Sequence, residues 1–242
     1  NELPGYDLLV QAVGGLMSIT GPDPATPTKV GVAMVDVITG LHAALGILAA
    51  LRHRDRTGEG QRVEVNLLSS LLSALTNQTS GYVAAGVVPT AMGNRHPSIA
   101  PYELFTTADR PLVLAVGNDR QFASLCKVLD LDLASDERFA TNAARVANRE
   151  ELTARLNAAL AADTADAWFA ALTAERVPCG PLNDLADAIA LAERLGLRTV
   201  VEIDDPRREA PARQIANPIR LGATPATYRT APPRLGEDNV TA

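Results

Sequence analysis

Asp36 stands inside the run Lys29-Val30-Gly31-Val32-Ala33-Met34-Val35-Asp36-Val37-Ile38-Thr39-Gly40, the only charged side chain between Lys29 and Arg52. A lone carboxylate among apolar residues is costly to bury without partners, so its presence needs a reason. One reason is structural: it caps the helix pattern that follows, through the first-turn N–H groups and the helix dipole, for about 1 kcal/mol. The other is chemical: a carboxylate at a helix N-terminus, walled by Met34, Val35, Val37 and Ile38, could attack an activated carbonyl and hold it covalently. The two readings are compatible, because a helix start stabilises an anion.

A second constellation is Met92-Gly93-Asn94-Arg95-His96-Pro97. Gly93 permits close backbone approach, Asn94 and His96 bring polar groups, and Pro97 stiffens the exit. An interdomain loop with a surface histidine would read the same way. Tyr6 and Asp7, followed by Gly14-Gly15, read as a helix start with a packed aromatic. His42 and His53 lie on the first long helix, as a boundary residue and a C-terminal charge. No phosphate-cradling glycine loop, zinc spacing or Ser-His-Asp arrangement is present in the sequence.

Composition narrows the class. The chain has 242 residues, a net charge of −6 and 47% hydrophobic content, enough for one large domain or two small ones. Lysines and arginines are scattered, which argues against nucleic-acid binding. Cys126 and Cys179 lie far apart and match no metal spacing, which fits free thiols in a reducing, cytoplasmic compartment. The longest apolar stretch, Val30 to Leu51, is interrupted by Asp36, Gly40, His42 and Gly46, so no membrane span is expected. The chain begins without Met at Asn1 and stops at Asn239-Val240-Thr241-Ala242, and we read it as a fragment of a longer protein.

These residues must be positioned by recognisable elements. Helical spacing from Tyr6 to Met17 ends at Gly14-Gly15, and residues 21–28 form a proline-rich loop. A helix is predicted from Asp36 to about Arg54 with Leu41, Ala44, Leu45, Leu48 and Leu51 inward, and a second from Asn66 to about Ala85. Residues 102–107 and 111–116 alternate like two strands joined by a turn. Helices follow over about 120–129, 148–161 and 164–174, the last with Asp163-Thr164 as its cap region. A turn at 177–181, a short helix over 183–191 and a strand over 199–203 lead to an extended, proline-punctuated tail. Trp168 and Phe169 are expected in the core.

Taken together, several phrases resemble the class III CoA-transferase family, to which α-methylacyl-CoA racemase is related. They are Pro4-Gly5-Tyr6-Asp7-Leu8-Leu9-Val10-Gln11-Ala12-Val13-Gly14-Gly15, the run around Asp36, and Arg56-Thr57-Gly58-Glu59-Gly60-Gln61. Gly93-Asn94-Arg95-His96-Pro97 leading to Ala100-Pro101-Tyr102 continues the series, then Gly117-Asn118-Asp119 and Val177-Pro178-Cys179-Gly180-Pro181-Leu182-Asn183. Ala216-Asn217-Pro218-Ile219-Arg220 and residues 231–237 complete it. Each phrase is weak alone; their order along nearly the whole chain makes the signal specific.

The resemblance implies an α/β fold: part of a Rossmann-like, CoA-binding large domain over 1–85, a smaller α+β domain over 86–198, and a linker and tail over 199–242 returning to the large domain. It implies an interlaced homodimer that takes acyl-CoA and a small carboxylic acid, with coenzyme A as substrate and no tightly bound cofactor or metal. Asp36 would be the nucleophile, passing through an aspartyl anhydride and an aspartyl-CoA thioester. Tyr6, Gly93, Asn94 and His96 would line the substrate and CoA site. The racemase relatives carry His where this chain has Tyr6 and Glu near Asp119, and a phenol cannot replace a near-neutral imidazole base. Racemisation is therefore the alternative reading, and an inactive dimerisation fragment a second one.

Overall fold

The computed structural model describes residues 4–237 and Asn239. Asn1 and residues 240–242, on which the expectation of a fragment partly rests, lie outside the described residues. The fold is α/β, with helices and small antiparallel pairings along one chain, and it divides into two compact units, residues 1–180 and 181–242.

The first unit opens with α1 (Asp7–Val13), a short 3-10 turn (Met17–Ile19) and the long helix α2 (Met34–Thr57). Helix α2 stops at Gly58, whose N–H donates to the Arg54 carbonyl at 2.7 Å. The predicted second helix is two: α3 (Leu67–Ala74) and α4 (Thr76–Ala85). They break where Thr76 takes φ 46°. The segment Thr76-Asn77-Gln78-Thr79-Ser80-Gly81 is poor in helix formers and cannot continue the α3 axis by propensity alone. Val10, Val35 and Leu71 form a small core that ties α1, α2 and α3 together.

The leucines expected to turn inward from α2 do not: Leu41, Leu45, Leu48 and Leu51 are 39–64% exposed. The helix is apolar nearly all round, so periodicity could not choose its buried face. The face that packs is marked by Val35, wholly buried, and by Gly46, where a Cβ would come within 2.8 Å of Val63. By length and composition alone α2 is long and apolar enough to cross a membrane, and little of it is buried within the described residues.

A second core of the same unit collects β1 (Tyr102–Phe105), β2 (Leu112–Ala115), α5 (Asp119–Val128), α6 (Asn142–Ala147), α7 (Arg149–Leu160) and α8 (Ala165–Ala174). Strands β1 and β2 pair antiparallel, Tyr102 opposite Ala115 and Phe105 opposite Leu112, as their alternation predicts. The turn expected at 177–181 instead contributes β3 (Cys179–Pro181), giving the order β1-β2-β3. Phe105, Phe122 and Phe139 are almost fully buried there, each contributing about 2–3 kcal/mol. Trp168 packs against this core and donates its indole N–H to the Leu160 carbonyl at 2.8 Å.

The second unit holds α9 (Leu185–Arg194) and a hairpin of β4 (Val200–Ile203) with β5 (Ala212–Ile215). The predicted strand thus finds its partner inside the stretch expected to be an extended, proline-punctuated tail. The short run Ala212-Arg213-Gln214-Ile215 has no strong strand signal and forms because β4 offers it an edge.

Candidate active site

Most helices are capped by the residue just before them. Asn66, Asn118, Thr141, Thr164 and Asp184 each accept a backbone N–H from the first turn of α3, α5, α6, α8 and α9. Helix α2 is different. Its own N-cap position is Ala33, with no side-chain acceptor, and the cap comes from Asp7 on α1. Asp7 Oδ2 accepts the N–H of Val35 at 2.8 Å and of Asp36 at 3.2 Å, from 28 and 29 residues upstream. Its other oxygen, Oδ1, accepts from Gln11 Nε2, and Gln11 Oε1 accepts the Val30 N–H at 2.9 Å. Gln11 is buried, so this strap fixes the whole approach to α2.

The capping role foreseen for Asp36 is therefore filled by Asp7, and the sequence carried no local signal of it. Asp36 sits in the first turn of α2, exposed. Its carboxylate has no hydrogen bond or ion pair among the described residues. As a first-turn carboxylate Asp36 still favours the helix dipole, but it caps no N–H group among the described residues. Of its expected walls, Val35 is buried and Val37 is 54% exposed. Tyr6 is not the packed aromatic foreseen: it occupies the N-cap position of α1, in extended conformation and 71% exposed.

The Gly93–His96 loop is tied to the segment leading into α2. The Gly93 N–H donates to the Gly21 carbonyl at 3.0 Å, and a Cβ at Gly93, where φ is 64°, would lie 3.3 Å from the Pro22 carbonyl. Glycine alone meets both demands without strain. Thr28 N–H closes the following loop on the Thr20 carbonyl at 2.8 Å. Backbone bonds thus join the Gly93 loop to the base of the 20–28 loop, which runs on in sequence to Val30, held by the Gln11 side chain.

The two arginines bracketing this loop are structural. Arg95 pairs with buried Glu103 at 3.2 Å and with Glu150. The hydrogen bonds it donates to the Glu150 carboxylate, the largest cause, hold the Arg95 guanidinium above its usual range. Arg149 Nη2 donates to the carbonyls of His96 and Ile99, at 2.7 and 3.1 Å, with Nη1 3.5 Å from Glu103. His96 is half-buried, its ring tilted against Tyr102 at 5.1 Å, and its N–H bonds the Tyr102 carbonyl. Asn94 is exposed, with no side-chain bond among the described residues.

Asp119, the position near which racemase relatives are expected to carry Glu, accepts from Arg145 Nη2 at 2.8 Å. Arg145 is wholly buried, bonds the carbonyls of Ala100 and Phe139, and stacks on Phe122 at 4.4 Å. Asp119 is therefore a partner of a core arginine. Burial raises both thiols, Cys126 and Cys179, which keeps them protonated and poorly nucleophilic. Among the described residues no cluster of His, Cys, Asp and Glu could hold a metal ion.

The chain is 39% identical over 239 residues to the succinate–glutarate CoA-transferase of Agrobacterium fabrum, spanning 98% of this chain and 59% of that protein. It is 40% identical over 203 residues to the mouse succinyl-CoA:glutarate CoA-transferase, 84% of this chain and 47% of that one. It is 34% identical over 240 residues to the acetyl-CoA:oxalate CoA-transferase of Acetobacter aceti, 98% of this chain and 60% of that one. A crystal structure of a CAIB/BAIF family protein from Brucella suis superposes with TM-score 0.83 at 39% identity, over 98% of this chain and 61% of that one. The Mycobacterium tuberculosis protein Rv3272 gives TM-score 0.84 at 27% identity, over 98% of this chain and 63% of that one. The chain thus spans about three fifths or less of these relatives. Residues 1–239 match the family description CoA-transferase family III, and the chain belongs to that family.

Proposed function

We propose that the protein carrying this chain moves CoA from an acyl-CoA donor to a carboxylic acid acceptor, with Asp36 as the nucleophile. The observation that carries this reading is the unpartnered, exposed carboxylate of Asp36 on a helix start whose capping is done by Asp7. A carboxylate oxygen of Asp36 adds to the thioester carbonyl, the C–S bond breaks, and CoA leaves as thiolate with an acyl-aspartyl anhydride formed. The thiolate then attacks the Asp36 carbonyl of that anhydride, releasing the donor acid and leaving an aspartyl-CoA thioester. The acceptor carboxylate displaces CoA from Asp36 to make a second anhydride, and CoA thiolate takes the new acyl group and frees Asp36. Every bond formed is matched by one broken, and no redox partner or metal enters.

The relatives named for succinate, glutarate, oxalate and mesaconate support short dicarboxylates as the acids exchanged. The exposed apolar side of α2 supports an assembled large domain, since a longer protein or an interlaced partner would cover it. Tyr6 in place of an imidazole supports acyl capture over proton transfer. The test uses the full-length protein with succinyl-CoA and hydroxylamine. Hydroxamate formation should map by mass spectrometry to Asp36 and vanish in Asp36→Asn. Modification at another residue, or full transfer in Asp36→Ala, would sink the assignment.

A further inference from the structure

A carboxylate attacks a thioester carbonyl with a lone pair. Hydrogen bonds that hold this anion in the resting enzyme weaken as its charge disperses, so they slow the attack. Asp36 stands where such bonds are easily made. It is the third residue of α2, the position from which an acid reaches back to the open N–H groups of a helix start. Its carboxylate nonetheless accepts none among the described residues.

The donors around it are engaged elsewhere. The N–H of Met34 goes to the Val32 carbonyl at 2.8 Å and that of Val37 to the Ala33 carbonyl at 3.1 Å. Thr39, one turn further along α2, turns its hydroxyl back to the Val35 carbonyl at 2.8 Å. Lys29, the nearest lysine in the sequence, donates to the Val30 carbonyl at 3.3 Å. The N–H groups of Val35 and of Asp36 itself go to Asp7 Oδ2, at 2.8 and 3.2 Å. Asp7 keeps its place because Gln11 Nε2 occupies its other oxygen, and Gln11 is buried and pinned to the Val30 N–H.

We propose that Asp7 is a positioning residue of the acyl exchange in a second sense: by taking the α2 N–H groups itself, it leaves the Asp36 carboxylate unbonded and free to attack. This rests on the reading of Asp36 as nucleophile. The division of labour also holds through the cycle. Asp36 loses its negative charge whenever it carries an acyl group or CoA, whereas Asp7 is never modified and stays the anion at the helix start. A helix capped by its own nucleophile would lose that cap at every turnover; α2 keeps its cap throughout.

The test is a double-mutant cycle read by melting of the full-length protein. While Asp7 is present, Asp36→Ala should shift the melting temperature by no more than about 1 °C, since its carboxylate caps nothing. In the Asp7→Ala background the freed N–H groups draw the Asp36 carboxylate in, and Asp36→Ala should then lower melting by a further 3–8 °C or about that. A merely structural Asp7 gives equal shifts in both backgrounds, and equal shifts would overturn the proposal. Should the double variant fail to fold, amide exchange in the wild type decides. The Val35 and Asp36 N–H groups should exchange within about twofold of the same rate before and after succinyl-CoA and hydroxylamine convert Asp36 to its hydroxamate. Acceleration of about tenfold or more would show Asp36 capping its own helix, and would overturn the proposal as well. Failure of hydroxylamine to label Asp36 refutes the nucleophile reading instead, while the melting cycle still decides which carboxylate holds the N–H groups.

Discussion

Replacing Asp7 tests whether the helix that carries Asp36 is held from α1. Both oxygens of Asp7 accept: Oδ2 from Val35 and Asp36, Oδ1 from Gln11. Asp7→Ala removes a cap, at about 1 kcal/mol, and an anion at a helix N-terminus, at about 0.3–1 kcal/mol. Because Val35 is wholly buried, its stranded N–H brings the sum to about 2 kcal/mol. At ~2–4 °C per kcal/mol, melting should fall by about 4–8 °C. Asp7→Asn should be nearly as harmful. Its amide offers one acceptor and one donor where two acceptors are needed, and its NH2 would face either Gln11 Nε2 or the α2 N–H groups. Gln11 cannot turn over to relieve the clash without abandoning the Val30 N–H. The assay is thermal melting of the full-length variants together with the rate of hydroxylamine trapping at Asp36, which should drop at least tenfold as the first turn frays. Melting of Asp7→Asn within about 1 °C of wild type, with undiminished trapping, would refute the strap as the device that positions Asp36.

Two further outcomes follow from buried charge. Arg145→Met should strand the Ala100 and Phe139 carbonyls and cost about 3 kcal/mol, a fall of roughly 6–12 °C in melting temperature, with Arg145→Lys recovering only part. In the second unit, hydrogen bonds from the Arg207 side chain and N–H hold the Asp205 carboxyl down at about 2, against an ordinary 3.8. Unfolding therefore takes up a proton between those values. The stability from Asp205 is full above about pH 4 and lost as pH falls through about 2. Melting scans across that range should show Asp205→Asn less stable than wild type at pH 7, with the gap closing near pH 2.

Much of the helical framework was legible because its signals are local. Thr164 before α8 and the alternation of β1 and β2 are written within a few residues of what they specify. What escaped is long-range. Nothing around Asp36 announces that Asp7 will serve its helix, since the bond spans 29 residues and competes with a local reading that is equally sound. The packed face of α2 escaped because a helix apolar nearly all round through its middle has no preferred side. Strand β5 escaped because its sequence is neutral and its conformation is dictated by β4. For the site, Asp36 and the Gly93–His96 loop were legible as residue types with two meanings each. The sequence could not show that Arg95 and Arg149 are paired with Glu103, Glu150 and the loop carbonyls, which makes them part of the loop's framework.

The strap also sets what may vary. Since α2 is anchored by Asp7 and Gln11, and the 20–28 loop is closed at its base by Thr28 on Thr20, the register of Asp36 does not depend on the length of the tip between them. Doubling such a tip costs only about 0.6 kcal/mol of closure entropy. The exposed tip at Pro24-Ala25 is thus a natural insertion point, where a tag, a fluorophore or a grafted peptide could be carried without shifting the start of α2.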